Sequence, residues 1–180
     1  LKKNKYKHMK ISDLSASEYN PYYKTYIDKV SSSGTLEGNL IRGGEQIVEF
    51  FRGIPIDSLE FRYAEGKWTI KEVFRHIIDT ERVFAHRCFR IARHDSTPLA
   101  GFEQDDYIIP SKANLKPIND LLEEYQAVRK NTTMLIKSLS NEDLEFIGSA
   151  NGGNLSARAA IFIILGHEIH HVNVVRERYL

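Results

Sequence analysis

The sequence contains little cysteine and no long apolar run. Cys88 is the only cysteine among the 180 residues, which excludes an intrachain disulfide framework and is typical of a reducing compartment. The longest fully apolar stretch, residues 159–165, is far shorter than the ~20 residues of a membrane-spanning helix. The first residues show no apolar segment of the kind found in a signal peptide. We therefore expect a cytoplasmic protein with no membrane partner.

A strong charge of one sign is also lacking, because the formal net charge is +1 at pH 7. Residues 1–10 (LKKNKYKHMK) contain five lysines and no acid, so the rest of the chain is slightly acidic. A nucleic-acid-binding domain is expected to carry its basic patch on the folded body. We therefore expect no nucleic-acid partner. Residues 1–10 are interpreted as a basic, disordered leader, in which Met9 is a candidate natural start and residues 1–8 an extension.

Helical periodicity dominates the remaining residues, 11–180, which we interpret as one domain. Thr69 and Glu72 form a capping box at the start of one helix, and Ser156 is a candidate N-cap for the last helix. Two glycines, Gly43 and Gly44, interrupt an apolar stripe, which predicts close packing against a neighbour in preference to space for a ligand. Apolar residues recur at helical spacing in residues 22–30, 36–54, 70–91, 118–139 and 157–180.

This pattern predicts an all-α fold, most simply a four-helix bundle with a short extra N-terminal helix after Pro21. Strand-like alternation between hairpin turns is absent from the sequence, so no sheet is predicted. Residues 93–117 contain three prolines and no sustained period, and they are interpreted as a long crossover loop.

The last predicted helix contains the sequence GHEIHH at residues 166–171, which includes an HExxH motif. Helical spacing places His167 and His171 one turn apart on one face, where both can bind one metal ion. In zinc metalloproteases the glutamate of this motif, here Glu168, is the general base. The sequence after His171 reads VNVVRERYL, which lacks the glycine and third histidine of one large protease class. We therefore expect the third protein ligand from an upstream segment.

Four upstream histidines are candidates for this third ligand: His8, His76, His86 and His94. His76 lies at the border of the apolar face of its helix, from which a side chain can reach the bundle interior. His86 is ten residues further along, about 80° around the helix and roughly 15 Å along it, so at most one of these two can bind the ion. We predict His76. On spacing alone, a pair of hydrogen-bonded histidines without metal is an equal alternative.

Several spaced segments of the sequence resemble the DinB-like, or damage-inducible, helical bundle superfamily. The resemblance covers residues 12–180. The segments that carry it are residues 63–73 (YAEGKWTIKEV), 76–82 (HIIDTER), 101–107 (GFEQDDY), 166–168 (GHE), 170–171 (HH) and 177–180 (ERYL).

The resemblance implies a four-helix bundle in up-down-down-up order with one divalent metal ion, zinc or nickel, bound by three histidines. By position these are His76, His167 and His171, which agrees with the choice made from geometry. Similar proteins include homodimers, thiol S-transferases that use bacillithiol or mycothiol-type thiols, and metal-dependent hydrolases. The implied function is a metal-dependent transferase or hydrolase that activates a thiolate or water against a small-molecule substrate. A non-catalytic metal or small-molecule binding stress-response protein is the alternative.

Other residues have two interpretations each. Glu168 is a candidate catalytic residue that orients or deprotonates the nucleophile, or else an ion-pair residue that points away from the metal. Asp79 is either a partner of the His76 ring or the partner of Arg75 or Arg82 on the surface. Cys88 is interpreted as an inert buried thiol. The acidic residues of the crossover are candidates for a lid over the site, or are solvated: Glu103, Asp105 and Asp106.

Overall fold

The computed structural model describes residues 9–180, and it consists of helices with one small hairpin. The long helices are α2 (Leu36–Arg52), α3 (Ile70–Ile91), α5 (Ile118–Ser138) and α7 (Ala157–Arg178). The short helices are α1 (Lys24–Ile27), α4 (Asp105–Ser111) and α6 (Asn141–Glu145), and the strands are β1 (Ile147–Ala150) and β2 (Gly153–Ser156). The four long helices form the predicted bundle, and α1 is the predicted short N-terminal helix, which follows a 3₁₀ turn at Pro21–Tyr23.

Helix α3 lies between α5 and α7, and α2 completes the bundle by packing against the same two helices. Trp68, just before α3, accepts a hydrogen bond from the Tyr179 hydroxyl just after α7, so α3 and α7 are antiparallel. Arg75 near the start of α3 pairs with Glu124 near the start of α5, so these two helices are parallel. A parallel pair needs a connection that returns along the bundle, which explains the long crossover.

The remaining direction follows from an ion pair between Glu37 at the start of α2 and Lys137 at the end of α5. Helix α2 is therefore antiparallel to α5 and, in turn, parallel to α7. This order is the up-down-down-up arrangement that the resemblance implied.

Local capping interactions fix where the helices of the site begin. The Thr69 hydroxyl accepts a hydrogen bond from Glu72 N, and the Glu72 carboxylate accepts one from Thr69 N, as the capping box predicts. Ser156 caps α7 by accepting from Ala159 N at 3.0 Å. Each bond satisfies an amide at a helix start that has no partner within the helix.

The bundle interior holds two apolar clusters, one at each end. The cluster nearer the start of α7 includes Met9, whose carbonyl accepts a hydrogen bond from Leu36 N at 2.7 Å. Met9 belonged to the predicted leader, so ordered packing begins within residues 1–10. Residues 1–8 of that leader lie outside the described residues. The other cluster surrounds Phe51, Phe74 and Tyr125.

The prediction that no segment forms strands was wrong for residues 147–156. Strands β1 and β2 pair antiparallel around Asn151 and Gly152, which both adopt positive φ angles, 51° and 75°. Asn-Gly is the preferred sequence of a two-residue hairpin turn, so the signal was present in the sequence. The crossover also contains α4, with Pro110 inside it. Helix α5 ends at Ser138, two residues before the earlier of its two predicted ends, Ser140 and Asn141.

Among residues 9–180, no helix combines the length and the apolar character needed to cross a bilayer.

Candidate metal centre

The three predicted histidines come together between α3 and α7. His76 lies in the second turn of α3, and His167 and His171 lie one turn apart on α7. The Nε2 atom of His167 is 2.9 Å from that of His76 and 3.1 Å from that of His171. One ligand nitrogen from each ring therefore lies within 4.8 Å of the other two. Antiparallel packing of α3 on α7 brings the start of one helix beside the end of the other.

The arrangement of these nitrogens is explained better by coordination of a divalent cation than by hydrogen bonds between the rings. His167 Nε2 carries either one hydrogen or one lone pair, but it has two nitrogen neighbours, so no protonation pattern makes both contacts hydrogen bonds. A cation between the rings would accept all three lone pairs. Nitrogens about 2.0 Å from a tetrahedral zinc ion would be roughly 3.3 Å apart, close to the observed separations.

The environment keeps the three imidazoles neutral, which is the form that binds metals. Burial lowers the pKa of His76 to about 4. Burial lowers the pKa of His167 and of His171 well below the ordinary value, and the neighbouring histidines lower both further. A proton therefore competes weakly for these nitrogens at neutral pH.

Aromatic and hydroxyl groups surround the rings. The Trp68 ring lies 4.8 Å from that of His76, and the Tyr26 ring lies 5.3 Å from that of His167, measured between ring centroids. Thr80, one turn after His76, places its Oγ1 atom 3.5 Å from His76 Nδ1. As an acceptor there, Thr80 favours the tautomer that leaves Nε2 unprotonated.

Gly166 allows α1 to approach the metal centre. A Cβ atom at this position would overlap the carbonyl group of Tyr26. Because α7 has a glycine beside His167, the backbone of α1 can pack directly on the helix and deliver the Tyr26 ring to the site.

A cavity of about 300 Å³ opens beside His76 and His167. Its walls carry Tyr22, Tyr26, Phe84 and Phe102, and its rim carries Glu103, Gln104 and Asp105. Two of the three candidate lid residues, Glu103 and Asp105, thus line the cavity, as the lid interpretation requires. Asp106 is exposed at the start of α4.

Glu168 does not point toward the three histidines, because its carboxylate contacts side chains of α5. Tyr125 donates its hydroxyl hydrogen to Glu168 Oε2 at 2.9 Å, and Arg129 pairs with the same oxygen. Arg129 also pairs with Glu81 of α3 at 2.8 Å. Burial raises the pKa of the Glu168 carboxyl, and Arg129 acts in the opposite direction. These contacts favour the ion-pair interpretation, and a catalytic role for Glu168 stays a prediction.

The two glycines of α2 lie against this buried network. A Cβ atom on Gly43 would stand 2.9 Å from Glu168 Oε1, and one on Gly44 would stand 3.1 Å from Arg129 Cγ. Gly43 and Gly44 therefore show the close packing that the sequence predicted.

The other candidate ligands lie elsewhere. His86 is exposed on α3, His94 pairs with Asp143 at 3.2 Å, and His8 lies outside the described residues. His170 packs edge-on against Tyr26, outside the cluster of ligand nitrogens. Asp79 pairs with Arg82 at 3.0 Å and with Arg75 at 3.6 Å, as the surface interpretation holds.

The single cysteine is buried in the core, where burial raises the pKa of the Cys88 thiol to about 12. The thiol is therefore uncharged at neutral pH and a poor nucleophile.

Comparison with known proteins identifies the family. The family model of the DinB superfamily matches residues 39–175, and the chain belongs to this superfamily. Among curated proteins, it is 26% identical over 119 residues to the protein named "Putative metal-dependent hydrolase OB0413" from Oceanobacillus iheyensis, covering 64% of this chain and 67% of that protein.

Two solved structures share the fold. YfiT from Bacillus subtilis, described as a probable metal-dependent hydrolase with an unusual four-helix bundle topology, has a TM-score of 0.69 and 15% identity, with coverage of 89% of this chain and 91% of YfiT. The DinB-like protein YjoA from Bacillus subtilis has a TM-score of 0.56 and 20% identity, with coverage of 79% and 90%. At these identities the two similarities establish the fold alone.

Proposed function

We propose that this chain is a divalent-metal-dependent enzyme that activates water or a small thiol for attack on an electrophilic small molecule. The observation that supports this most directly is the convergence of the Nε2 atoms of His76, His167 and His171 beside an open cavity. Three protein ligands leave a coordination position free, which is typical of catalytic sites, whereas structural zinc sites usually have four. Imidazole ligands suit zinc and nickel, the two ions implied by the resemblance.

A divalent ion at these nitrogens would make a water molecule or a thiol nucleophilic near neutral pH. The chain itself orients and shields the centre. Thr80, as an acceptor for His76 Nδ1, favours the tautomer that leaves Nε2 free, and the Trp68 and Tyr26 rings pack against the imidazoles of His76 and His167. The cavity of about 300 Å³ is at the small end of ligand sites, which suits a small-molecule substrate.

Hydrolysis is the reaction that the names of the relatives favour. The contacts of Glu168 favour a second candidate, thiol S-transfer with a low-molecular-weight thiol as co-substrate. The glutamate that serves as a base in HExxH proteases is bound to Arg129 and Tyr125 in this chain. A thiol, with a pKa of about 8.5, loses its proton far more readily than water and needs no such base.

Metal analysis is the first test of this proposal. We expect roughly one zinc or nickel ion per chain in protein purified without a metal-affinity step, and a loss of the ion in His76→Ala, His167→Ala and His171→Ala. His86→Ala is the matched control, because it removes an exposed histidine from the same helix as His76. A wild-type protein that neither contains metal nor takes it up would contradict the proposal.

A pH profile of turnover then separates an enzyme from a binding protein. The loaded protein is assayed with an activated ester, and with a chloronitrobenzene plus a small thiol. We expect turnover to rise as the nucleophile loses its proton, whereas the alternative, a non-catalytic stress-response binding protein, shows no turnover at any pH.

Homodimer formation, a cytoplasmic location and the absence of a nucleic-acid partner are part of the same proposal. The dimer is supported by the family resemblance, and the location by the single buried cysteine. Sedimentation velocity at several protein concentrations tests the dimer, and a gel-shift assay with duplex DNA tests the absence of nucleic-acid binding.

A further inference from the structure

Arg87 on α3 differs from the other buried arginines of the described residues in having no carboxylate partner. Three buried arginines are each paired with a glutamate: Arg75 with Glu124, Arg129 with Glu81 and Arg158 with Glu18. Arg87 is only 3% exposed, yet within residues 9–180 no Asp or Glu oxygen lies within 4.0 Å of its guanidinium nitrogens. The first eight residues contain no acid that could supply one. The guanidinium nitrogens of Arg87 that lack a hydrogen bond are not fully buried, so they remain accessible to an anion in the adjoining cavity, which would supply the missing counter-charge.

The guanidinium of Arg87 is held in one orientation. It donates one hydrogen bond, from Nη2 to the carbonyl of Ala100 at 2.9 Å. Its Cζ atom lies 4.8 Å from the centre of the Phe84 ring and 5.7 Å from that of Phe102. The planar group is therefore fixed between aromatic rings and a carbonyl, with several of its five N–H donors left over. A fixed fork of donors is the geometry that binds carboxylate and phosphate groups.

Arg87 faces the same cavity as the metal centre. It is eleven residues after His76, which corresponds to about 20° around the helix and roughly 16 Å along it. Thr80 and Phe84 lie between the two on the same stripe, and all four residues line the cavity. The cavity therefore runs along α3 from the histidines at one end to Arg87 at the other.

We propose that Arg87 is an oxyanion subsite, and that the small molecule bound in this cavity carries a carboxylate or phosphate group remote from its reacting end. The inference deepens the proposed function, on which it rests for the reaction at the histidines. Glu103 and Asp105 also line the cavity, but both are exposed at its rim, where solvent and salt screen their repulsion of an anion. Aromatic walls add a surface for an apolar or aromatic part of the same molecule.

Charge-selective binding tests the subsite without any turnover assay. The full-length chain, both zinc-loaded and stripped with a chelator, is titrated by calorimetry with benzoate, phenyl phosphate and benzamide. These probes share one ring and differ in charge. We expect benzoate or phenyl phosphate to bind roughly tenfold more tightly than neutral benzamide, and the stronger of the two anions identifies the group that the subsite takes.

Variants assign this preference to Arg87. We expect Arg87→Gln to remove the preference for the anion and Arg87→Lys to keep part of it, because lysine retains the charge without the fork. Arg93→Gln is the matched control: Arg93 also stacks on an aromatic ring, Phe89, but it is exposed outside the cavity. Equal binding of benzoate and benzamide to the wild type overturns the inference, and this comparison needs no variant to fold. Unchanged benzoate binding in Arg87→Gln overturns it as well.

The two proposals can fail separately. If the protein binds no metal but still prefers the anions through Arg87, the proposed reaction is wrong and the subsite stands. If the protein binds metal at the histidines but shows no preference for anions, the subsite is wrong and the proposed reaction stands.

Discussion

Tyr125 and Glu168 are joined by a buried hydrogen bond of 2.9 Å, which directs the glutamate of the HExxH motif toward α5. The motif fixes the spacing of His167 and His171 on one face of α7, but Glu168 lies about 100° further around the helix. On that side of α7 lies Arg129, which pairs with both Glu168 and Glu81 and so links α5, α7 and α3. The glutamate that in a protease would be the base thus stabilises the bundle interior here.

The first prediction concerns this network. Arg129→Met leaves two buried carboxylates, Glu81 and Glu168, without a cation, and we expect it to lower the free energy of unfolding by about 3–5 kcal/mol. Urea denaturation measures the effect. Arg42→Met is the control, since Arg42 is exposed on α2 and its loss should change stability by only about 0.5 kcal/mol. An Arg129→Met protein as stable as the wild type would show that the network does not hold the bundle together.

Gly166→Ala is expected to separate α1 from α7. The added methyl group would overlap the carbonyl of Tyr26, so the backbone must move, at a cost of about 3 kcal/mol. Because this movement takes the Tyr26 ring from His167, metal affinity should fall together with stability. Thermal unfolding and metal titration measure both. In the control, Gly38→Ala, the new Cβ meets only the ends of the Arg42 and Thr35 side chains, and we expect no loss of metal affinity.

Thr80→Val tests how the His76 ring is oriented. Valine keeps the shape of threonine but cannot accept a hydrogen bond from Nδ1 of His76, so we expect metal affinity to fall about tenfold. Competition with a chromogenic chelator gives the affinity. Thr133→Val makes the same change where the hydroxyl bonds only to the carbonyl of Arg129, and it should leave metal binding unaltered. Equal metal affinities in the two variants would show that Thr80 does not orient the His76 ring.

The fourth prediction is a pH dependence of stability at the α3–α5 interface. Hydrogen bonds from Arg75 and Arg82 lower the pKa of Glu124 to about 2, from an ordinary value of 4.5. The Glu124 carboxyl therefore binds a proton more readily in the unfolded chain than in the folded one. The stabilisation that ionised Glu124 gives the folded state is complete above pH 4.5 and is lost as the pH falls toward 2. We expect the stability difference between wild type and Glu124→Gln to shrink over this range, as measured by urea denaturation at several pH values. Glu123→Gln is the control for removing a carboxylate from the same helix. A difference that stays constant with pH would contradict the assignment.

Much of the fold could be predicted because its signals are local. The helix starts at Thr69 and Ser156 depend on side chains that bond to amides three residues away, and both caps are present as predicted. The histidine pair on α7 follows from the period of the helix. The hairpin was missed although its signal, Asn151-Gly152, was also local, because its strands are only four residues long and show no clear alternation.

Local sequence signals are enough to predict the four long helices, the pair His167 and His171, and the candidate third ligand His76, which its position on the helix indicates and the family resemblance supports. The tertiary structure decided which long-range partners each polar side chain received. It pairs Glu168 with Arg129 across the bundle and places Tyr26 against the histidines beside Gly166. Within residues 9–180, it also leaves Arg87 beside the cavity without a carboxylate partner. Periodicity and capping are properties of neighbouring residues and can be read along the chain. The partner of a buried charge depends on how the helices pack, because burial makes a partner necessary and packing decides which one is within reach.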